Sequence, residues 1–284
     1  MHVPHPRVAL AGFAHNPNAL VAPNGSILVF HIGVPLGPGC LANCTGVPGH
    51  KARPRPAGCA SPNHGISVAI ADRPEGPFRR FPYILERKSQ PPPGPTDATN
   101  PGPMMLANGT IILSVRRARS TSQPLYRGHY TAITGPWELI PTRIVSTDAG
   151  TPKTFDQDPF LMQTPRGYHI ISNRAVGGAD NLCGGGHLFS RDLFTWYIGE
   201  TVFGTGNQCS LELARRNGGS TSVLLTSRER PAIFADPASG ARYIYTGAAI
   251  NVSMYAHSFT LVQPLGPAPS ASLAPPVATA AVET

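Results

Sequence analysis

The chain has 284 residues, enough for one large domain or two small ones, and 32 are proline and 30 glycine while only 13% are charged. Proline at that level excludes many long helices. The formal charge of +8 first suggests a nucleic-acid partner, but the basic residues are scattered, in runs no longer than pairs such as Arg79-Arg80. Without a nucleic-acid-binding motif or an apolar segment of membrane-spanning length, we expect neither a nucleic-acid nor a membrane partner.

Short runs of β-formers predict an all-β chain. The runs SILVF (26–30), TIILSV (110–115) and YIY (243–245) are rich in β-branched and aromatic residues, and each is bounded by turn residues. Asn24 and Asn108 each precede a glycine, which is typical of the tight turn of a β-hairpin. Both also lie in N-x-S/T sequons, as do Asn43 and Asn251, but the hairpin turn is the simpler explanation for the first two.

A repeated unit becomes visible when the chain is aligned on a polar residue that is followed by a proline. In three copies the proline comes directly after the polar residue, and in the fourth one residue separates them. The four copies are HNPNALVAPNGSILVFHIG from His15, TNPGPMMLANGTIILSVRR from Thr99, QDPFLMQTPRGYHIISNRA from Gln157 and RERPAIFADPASGARYIYTGA from Arg228. Each copy reads as a strand, a turn and a second strand. Three copies continue with a further strand, which begins near His64, Arg127 and Gly185.

A unit of this content matches one blade of a β-propeller. We therefore predict a five-bladed propeller over residues 1–266, with blades of about four antiparallel strands. The fifth blade would be split between the first dozen residues and 250–265, which closes the ring and removes open sheet edges. A two-sheet sandwich is the alternative, but it does not require the same polar-Pro signature in each unit. Residues 267–284, rich in Pro, Ala and Ser, are expected to form a disordered tail.

The polar residues that head the four units are Asn16, Asn100, Asp158 and Glu229. In a propeller the inner strands line the central channel, so these side chains should converge at one mouth. Two carboxylates from different blades that face one funnel suit glycoside hydrolysis, in which one acid protonates the leaving oxygen and another group assists. Their proximity raises the pKa of each.

These segments resemble the five-bladed propeller glycosidases of glycoside hydrolase family 43 and the related arabinanase, levansucrase and invertase group. In that group an Asp-Pro heads the first and third blades and a Glu-x-Pro heads the fourth. DQDPF (156–160) and RERPAIF (228–234) match the latter two, and GPF (76–78) and GPW (135–137) are similar to its blade ends. The resemblance implies that Asp158 orients and tunes its neighbours and that Glu229 is the general acid.

The same resemblance implies a secreted monomer that acts on polysaccharides such as arabinan or xylan. No cofactor is expected to be required, although a structural calcium ion in the channel, as in some relatives, is compatible with the resemblance. The first residues, MHVPHPRVALAGFA, lack the charged end and apolar stretch of a signal peptide, so secretion is expected from the resemblance alone.

The departure from the family pattern lies at Asn16, where the resemblance places the general base. An amide cannot take a proton from water near neutral pH. Either another group acts, or hydrolysis is lost. The candidates for that group are Asp156, His15, His187 and Asp97. The second hypothesis is therefore a carbohydrate-binding propeller without turnover, and the third is a protein-interaction scaffold.

The residues predicted to bind substrate are Asn16, His15, Asn100, Asp156, His187, Arg228 and Arg230. Each has a structural alternative: Asp158 could brace a strand start, Glu229 could form an ion pair with a neighbouring arginine, and His187 could pack. Strand alternation points Arg228 and Arg230 away from the face that Glu229 occupies, where they would bind neighbouring blades or a sugar carboxylate.

The remaining residues with a distinct chemistry point to structure. The cysteines are compatible with a disulfide, with free thiols or with a zinc site at Cys40 and Cys44 that lacks a second ligand pair, and no metal site is predicted. The five are Cys40, Cys44, Cys59, Cys183 and Cys209. Trp137 and Trp196 are expected to pack within blades, and Asp192 is expected to be a turn residue.

Overall fold

The computed structural model describes residues 15–33, 65–85, 98–117, 124–145, 157–173, 184–203, 210–214, 217–236, 242–250 and 258–266. Over these residues the regular elements are β-strands and one short 3-10 turn, Tyr130–Ala132. None of the described residues belongs to a helix long and apolar enough to cross a membrane. The all-β prediction is confirmed.

The strands form four sheets arranged as propeller blades. Sheet 1 contains β1 (His15–Val21), β2 (Ile27–Ile32), β3 (Ile66–Ala71) and β4 (Arg79–Leu85), and sheet 2 contains β5 (Ala98–Met105), β6 (Thr110–Arg117), β7 (Leu125–His129) and β8 (Glu138–Ile140). Sheet 3 contains β9 (Arg143–Val145), β10 (Phe160–Thr164), β11 (Gly167–Ser172), β12 (Gly186–Ser190) and β13 (Thr195–Ile198). Sheet 4 contains β14 (Ser210–Ala214), β15 (Ser220–Ala235), β16 (Arg242–Ile250) and β17 (Ser258–Leu265).

Neighbouring strands within a sheet run antiparallel, except that β9 adds to the outer edge of sheet 3 parallel to β13. The strands β1, β5 and β10 are each the first of their sheet and lie next to one another, and β10 also lies beside β15. These are therefore the inner strands of the ring. In sheet 4 the inner strand is the second half of β15, because its first half, Ser220 to Leu224, pairs with β14 instead.

Two of the inner hairpins turn at Asn-Gly, as the sequence predicts. Asn24 Oδ1 accepts a hydrogen bond from the Ser26 N–H at 3.2 Å, and Asn108 Oδ1 accepts one from the Thr110 N–H at 3.1 Å. The glycines that follow have φ of 85° (Gly25) and 84° (Gly109). Only glycine adopts this conformation without a steric penalty, so the dipeptide fixes both turns.

Alternation along each strand sends side chains to both neighbouring blades. In β6, Ile111, Leu113 and Val115 pack against sheet 1, while Ile112 packs against sheet 3. In β11, Ile170 faces sheet 2, whereas Ile171 packs with Ile244 of sheet 4. A strand in a sheet that is covered on both faces has a nearly continuous run of apolar residues, which explains the sequence of β6.

Sheet 4 leaves part of one face exposed among the described residues. Its Ile233 and Ile244 pack on sheet 3, while Phe234 and Val262 on the opposite face are 50% and 44% exposed. We predicted that 250–265 contributes to a fifth blade, but Ser258–Leu265 pairs with β16 and completes sheet 4. The other half of the predicted fifth blade, the first dozen residues, lies outside the described residues, as do the tail at 267–284, all five cysteines, Asn43 and Asn251.

The tryptophans and Asp192 have the structural roles that we expected. Trp137 lies edge-on to Phe30 with ring centroids 6.4 Å apart, and Trp196 is fully buried in the core between sheets 2 and 3. Each indole N–H donates to a backbone carbonyl three or four residues earlier. Asp192 Oδ1 accepts from the backbone N–H groups of Phe194 and Thr195, both at 2.8 Å, and so fixes the turn.

Candidate functional site

Four polar residues head the inner strands in the same unusual backbone conformation. Asn16, Asn100, Asp158 and Arg230 have φ of 49°, 50°, 47° and 54°, and each precedes a proline. Among the described residues only one other non-glycine residue, Leu193, has a positive φ. Because the left-handed region costs a side-chain-bearing residue about 1–2 kcal/mol, its repetition at four blade heads shows that the fold imposes this bend.

The fourth head is Arg230 and not Glu229, which corrects the predicted alignment. The register of β15 against β16 shifts between Glu229 and Ala232, so strand alternation is interrupted at Arg230. As a result Arg230 faces the mouth, whereas we expected it to point away. Arg228 does point away, as predicted from alternation.

The four heads form a ring of hydrogen bonds around the axis. Arg230 Nε donates to Asn16 Oδ1 at 2.7 Å, and Asn16 Nδ2 donates to Asn100 Oδ1 at 2.8 Å. Asn100 Nδ2 in turn donates to Asp158 Oδ1 at 2.6 Å. A backbone hydrogen bond from Arg230 to the Asp158 carboxylate closes the ring. Four blades that are distant in sequence are thus joined through their polar heads.

Asp158 is the most perturbed group of the mouth. Its pKa is raised from the ordinary 3.8 to about 6, chiefly by burial and in part by the negative charge of Glu229, while the charges of Arg230 and Arg116 oppose this rise. The second carboxylate oxygen accepts from Asn173 Nδ2 at 2.9 Å. Near pH 6 the group can therefore exist in either protonation state.

Glu229 lies beside Arg230, and its negative charge raises the pKa of Asp158. Its side chain is 28% exposed, and Oε2 lies 3.4 Å from Arg230 Nη1. Asp158 is thus buried and held by amides, whereas Glu229 is more accessible and does not line the cavity that the blade heads form.

Asn173 and Arg116 belong to the site although the sequence did not single them out. Asn173 is 5% exposed, follows β11, and donates its backbone N–H to the Gln157 carbonyl beside the head of β10. Arg116 lies opposite Thr99, next to the head of β5. The sequence signal that would have identified both residues is a polar side chain on the second strand of a blade, opposite or close to the residue that heads the first strand.

The heads and their prolines line a cavity of about 100 Å³. This volume lies well below the roughly 300 Å³ at which pockets that enclose small molecules begin. The cavity can accept a substituent of a sugar but not the whole ring. The described residues contain no cluster of three or more His, Cys, Asp or Glu side chains that could hold a metal ion. Since both Asp158 oxygens already accept hydrogen bonds, these residues do not fit the calcium ion that the resemblance allowed.

The other predicted binding residues lie away from this cavity or outside the described part of the chain. The Arg228 guanidinium is buried within sheet 4, where it donates to Gln263 Oε1 at 2.6 Å and stacks on Phe203. His187 lies in β12 and forms a 3.0 Å hydrogen bond with His169. Neither lines the cavity. His15 begins β1, but the structure does not describe its side chain, and Asp156 and Asp97 fall outside the described residues.

No protein-family model matches the chain, and none of the curated proteins is similar to it in sequence. Among solved structures, the fold is similar to an endo-1,5-alpha-L-arabinanase from Thermotoga petrophila, with a TM-score of 0.54 and 14% identity over 89% of this chain and 57% of that one. A family 43 glycoside hydrolase from Bacillus licheniformis gives a TM-score of 0.51 and 13% identity over 87% of this chain and 56% of that one. The chain spans a little over half the length of both enzymes. The resemblance to family 43 propellers is thus confirmed in the fold.

Proposed function

We propose that this propeller is glycoside hydrolase-like and cleaves O-glycosidic bonds in polysaccharides or oligosaccharides of the arabinan or xylan type. The observation that carries the proposal is a buried carboxyl at the axis, Asp158, whose pKa rises to about 6 and is coupled to a second carboxylate, Glu229. Carboxyl pairs with displaced pKa values are the groups that glycoside hydrolysis uses. The fold shared with an arabinanase supports the same conclusion.

The two carboxyl groups have different roles in this proposal. Glu229 is the more accessible, so it donates a proton to the glycosidic oxygen as the bond from that oxygen to the anomeric carbon breaks. Asp158 is fixed by Asn100 and Asn173, and it positions and tunes its neighbours. Water then attacks the anomeric carbon and loses a proton to bulk water.

Asn16 cannot accept that proton, because an amide is not a base near neutral pH. Its side chain is also committed, since Nδ2 donates to Asn100 and Oδ1 accepts from Arg230. We therefore expect slow hydrolysis by the natural chain. The substitution Asn16→Asp keeps the acceptor for Arg230 and supplies a carboxylate, and it should increase the rate.

The test compares the wild type with Glu229→Gln and with Glu138→Gln, an exposed glutamate on the outer strand β8. Release of reducing sugar from arabino- and xylo-oligosaccharides is the measurement, because their poor leaving groups need a proton donor. We expect Glu229→Gln to lower kcat about 100-fold or more and Glu138→Gln to leave it unchanged. Equal rates for all three proteins would remove the acid assignment. Binding of these oligosaccharides without release by the wild type or Asn16→Asp would instead identify a binding propeller.

A further inference from the structure

Asn173 has a buried side-chain oxygen that the hydrogen bonds of the site do not use. The residue is 5% exposed, and its Nδ2 donates to Asp158 Oδ2 at 2.9 Å. Its Oδ1 has no hydrogen-bond partner among the described residues. Buried polar atoms in folded proteins are nearly always paired. A donor that exists only in another protonation state of the neighbouring carboxyl group would explain the unpaired oxygen.

The other side chains that hold Asp158 have no free oxygen to offer. Asn100 Nδ2 donates to Asp158 Oδ1 at 2.6 Å, and Asn16 Nδ2 donates to the same oxygen at 3.2 Å. Asn100 Oδ1 already accepts from Asn16, and Asn16 Oδ1 already accepts from Arg230. Turning either amide would therefore break a further hydrogen bond of the ring, whereas turning Asn173 gives up only its own bond to Asp158.

A protonated Asp158 requires an acceptor opposite its hydroxyl group. A carboxylic acid carries one O–H donor that a carboxylate lacks. Because two amides face Oδ1 and one faces Oδ2, the proton belongs on Oδ2, opposite Asn173. An unturned Asn173 would place its N–H against this O–H, so that two donors meet without an acceptor. Rotation of the terminal torsion, which is broad and roughly two-fold in asparagine, presents Oδ1 instead.

We propose that Asn173 is a positioning residue that turns its side-chain amide when Asp158 gains or loses a proton. It donates through Nδ2 to the carboxylate and accepts through Oδ1 from the carboxylic acid. Its backbone stays in place, because the Asn173 N–H donates to the Gln157 carbonyl at 3.2 Å. The ring of blade heads is then kept intact in both protonation states. This inference goes beyond the proposed function, because the proton is bound whether or not a glycan is cleaved.

The amide turns in the pH range in which Asp158 titrates. The pKa of Asp158 is about 6, raised chiefly by burial. Among the charged groups that act on it, Glu229 raises the pKa, whereas Arg230 and Arg116 lower it. Below this pH the oxygen of the Asn173 amide faces Asp158, and above this pH the nitrogen does.

Neutron diffraction from deuterium-exchanged crystals at pH 4.5 and pH 8 shows which atoms carry hydrogen. At pH 4.5 we expect deuterium on Asp158 Oδ2, directed at the Asn173 oxygen. At pH 8 we expect the deuterated Asn173 amide group to face the carboxylate, while Asn100 keeps one orientation in both crystals as the internal control. One orientation of Asn173 at both pH values, or an Asp158 that stays charged at pH 4.5, would overturn the proposal.

NMR tests the same turn in solution. The Nδ2 groups of Asn173 and Asn100 both point at Asp158 when it is charged, so their protons should show a nuclear Overhauser effect at pH 8 that weakens at pH 4.5. In Asp158→Asn an N–H donor faces Asn173 at every pH, so the effect should be weak at both. Asp192→Asn, the same substitution on an exposed turn, should behave like the wild type. An effect that is equally strong at both pH values in the wild type, or equally strong in Asp158→Asn and the wild type at pH 8, would contradict the turn.

Discussion

Asp158 is a candidate functional group, and its ionisation also lowers the stability of the folded protein. Its folded-state pKa of about 6 lies above the ordinary 3.8, so the folded protein binds the proton more tightly than the unfolded chain. The associated stability is fully present below pH 3.8 and is lost as the pH rises through 6. A shift of about two units corresponds to roughly 3 kcal/mol.

Asp158→Asn should therefore gain stability relative to the wild type as the pH rises. The amide cannot ionise, so the variant lacks this pH-dependent loss, although its new N–H group faces Asn173 at every pH. We expect the unfolding free energy of the variant, minus that of the wild type, to increase by roughly 3 kcal/mol between pH 4 and 8. Urea unfolding at both pH values measures this difference.

Asp192→Asn is the control of opposite sign. Backbone N–H groups from Thr195 and Phe194 lower the pKa of Asp192, so its contribution is present at high pH and lost as the pH falls. The variant should not gain stability relative to the wild type as the pH rises. The same gain in both variants would contradict the assignment of the effect to burial of Asp158.

At the residue scale the sequence predicted where the polar heads meet, but not all of their identities. Asn-Pro and Asp-Pro at three units placed Asn16, Asn100 and Asp158 correctly. In the fourth unit Glu229 and Arg230 both precede the proline closely, and only the backbone bend at Arg230 distinguishes them. Arg116 remained hidden because its role depends on cross-strand pairing, which composition does not reveal.

At the element scale the two Asn-Gly hairpins offer a matched pair of substitutions. Gly25 and Gly109 have nearly equal φ, but a Cβ at Gly25 would meet nothing within 4 Å. A Cβ at Gly109 would lie 2.6 Å from the Tyr130 ring and 2.8 Å from His129 Nε2. Tyr130 packs against the core between sheets 1 and 2, so it cannot move away freely.

We expect Gly25→Ala to cost about 1–2 kcal/mol, the penalty for a left-handed conformation. Gly109→Ala should cost at least about 1 kcal/mol more, because the added methyl group also displaces Tyr130. Denaturant midpoints of the two variants measure the difference. Equal costs would mean that Tyr130 yields without loss of packing.

Strand and turn positions were predictable because they depend on local chemistry. Asn-Gly fixes the turns, and short β-branched runs such as TIILSV are typical of strands that are covered on both faces. The third strand of three blades was also predicted, near His64, Arg127 and Gly185. The parallel pairing of β9 with β13 in sheet 3 was not predicted, since a strand of only three residues carries no pattern that specifies its partner.

At the scale of the whole molecule, the blades stack in chain order and meet at the axis. Separate cores join sheet 1 to 2, sheet 2 to 3 and sheet 3 to 4. Between sheets 4 and 1, the described contact at the mouth is the hydrogen bond from Arg230 to Asn16. The sequence predicted the ring because blade heads of similar pattern need a common axis. Assigning 250–265 to a fifth blade was wrong, because Ser258–Leu265 pairs with β16 and strand pairing determines the blade.

The close approach of the inner strands gives a test of this geometry. A Cβ at Gly102 in β5 would collide with the backbone carbonyl of Pro159, the residue after Asp158. Since a backbone atom cannot rotate away, Gly102→Ala must separate sheets 2 and 3 at the axis. It should also displace Asp158 from Asn100 and weaken the hydrogen-bond ring.

Gly247→Ala is the control, because a Cβ there would lie at an ordinary 3.6 Å from the Glu229 carbonyl in an equally regular strand, β16. We expect Gly102→Ala to lower the unfolding free energy by about 1–3 kcal/mol and Gly247→Ala to change it by less than about 0.5 kcal/mol. Because the displaced carboxyl loses the amide donor of Asn100, the pKa of Asp158 should rise further in Gly102→Ala alone. Carboxyl NMR titration measures that shift, and an unchanged Asp158 pKa together with unchanged stability would show that sheets 2 and 3 do not meet in this way.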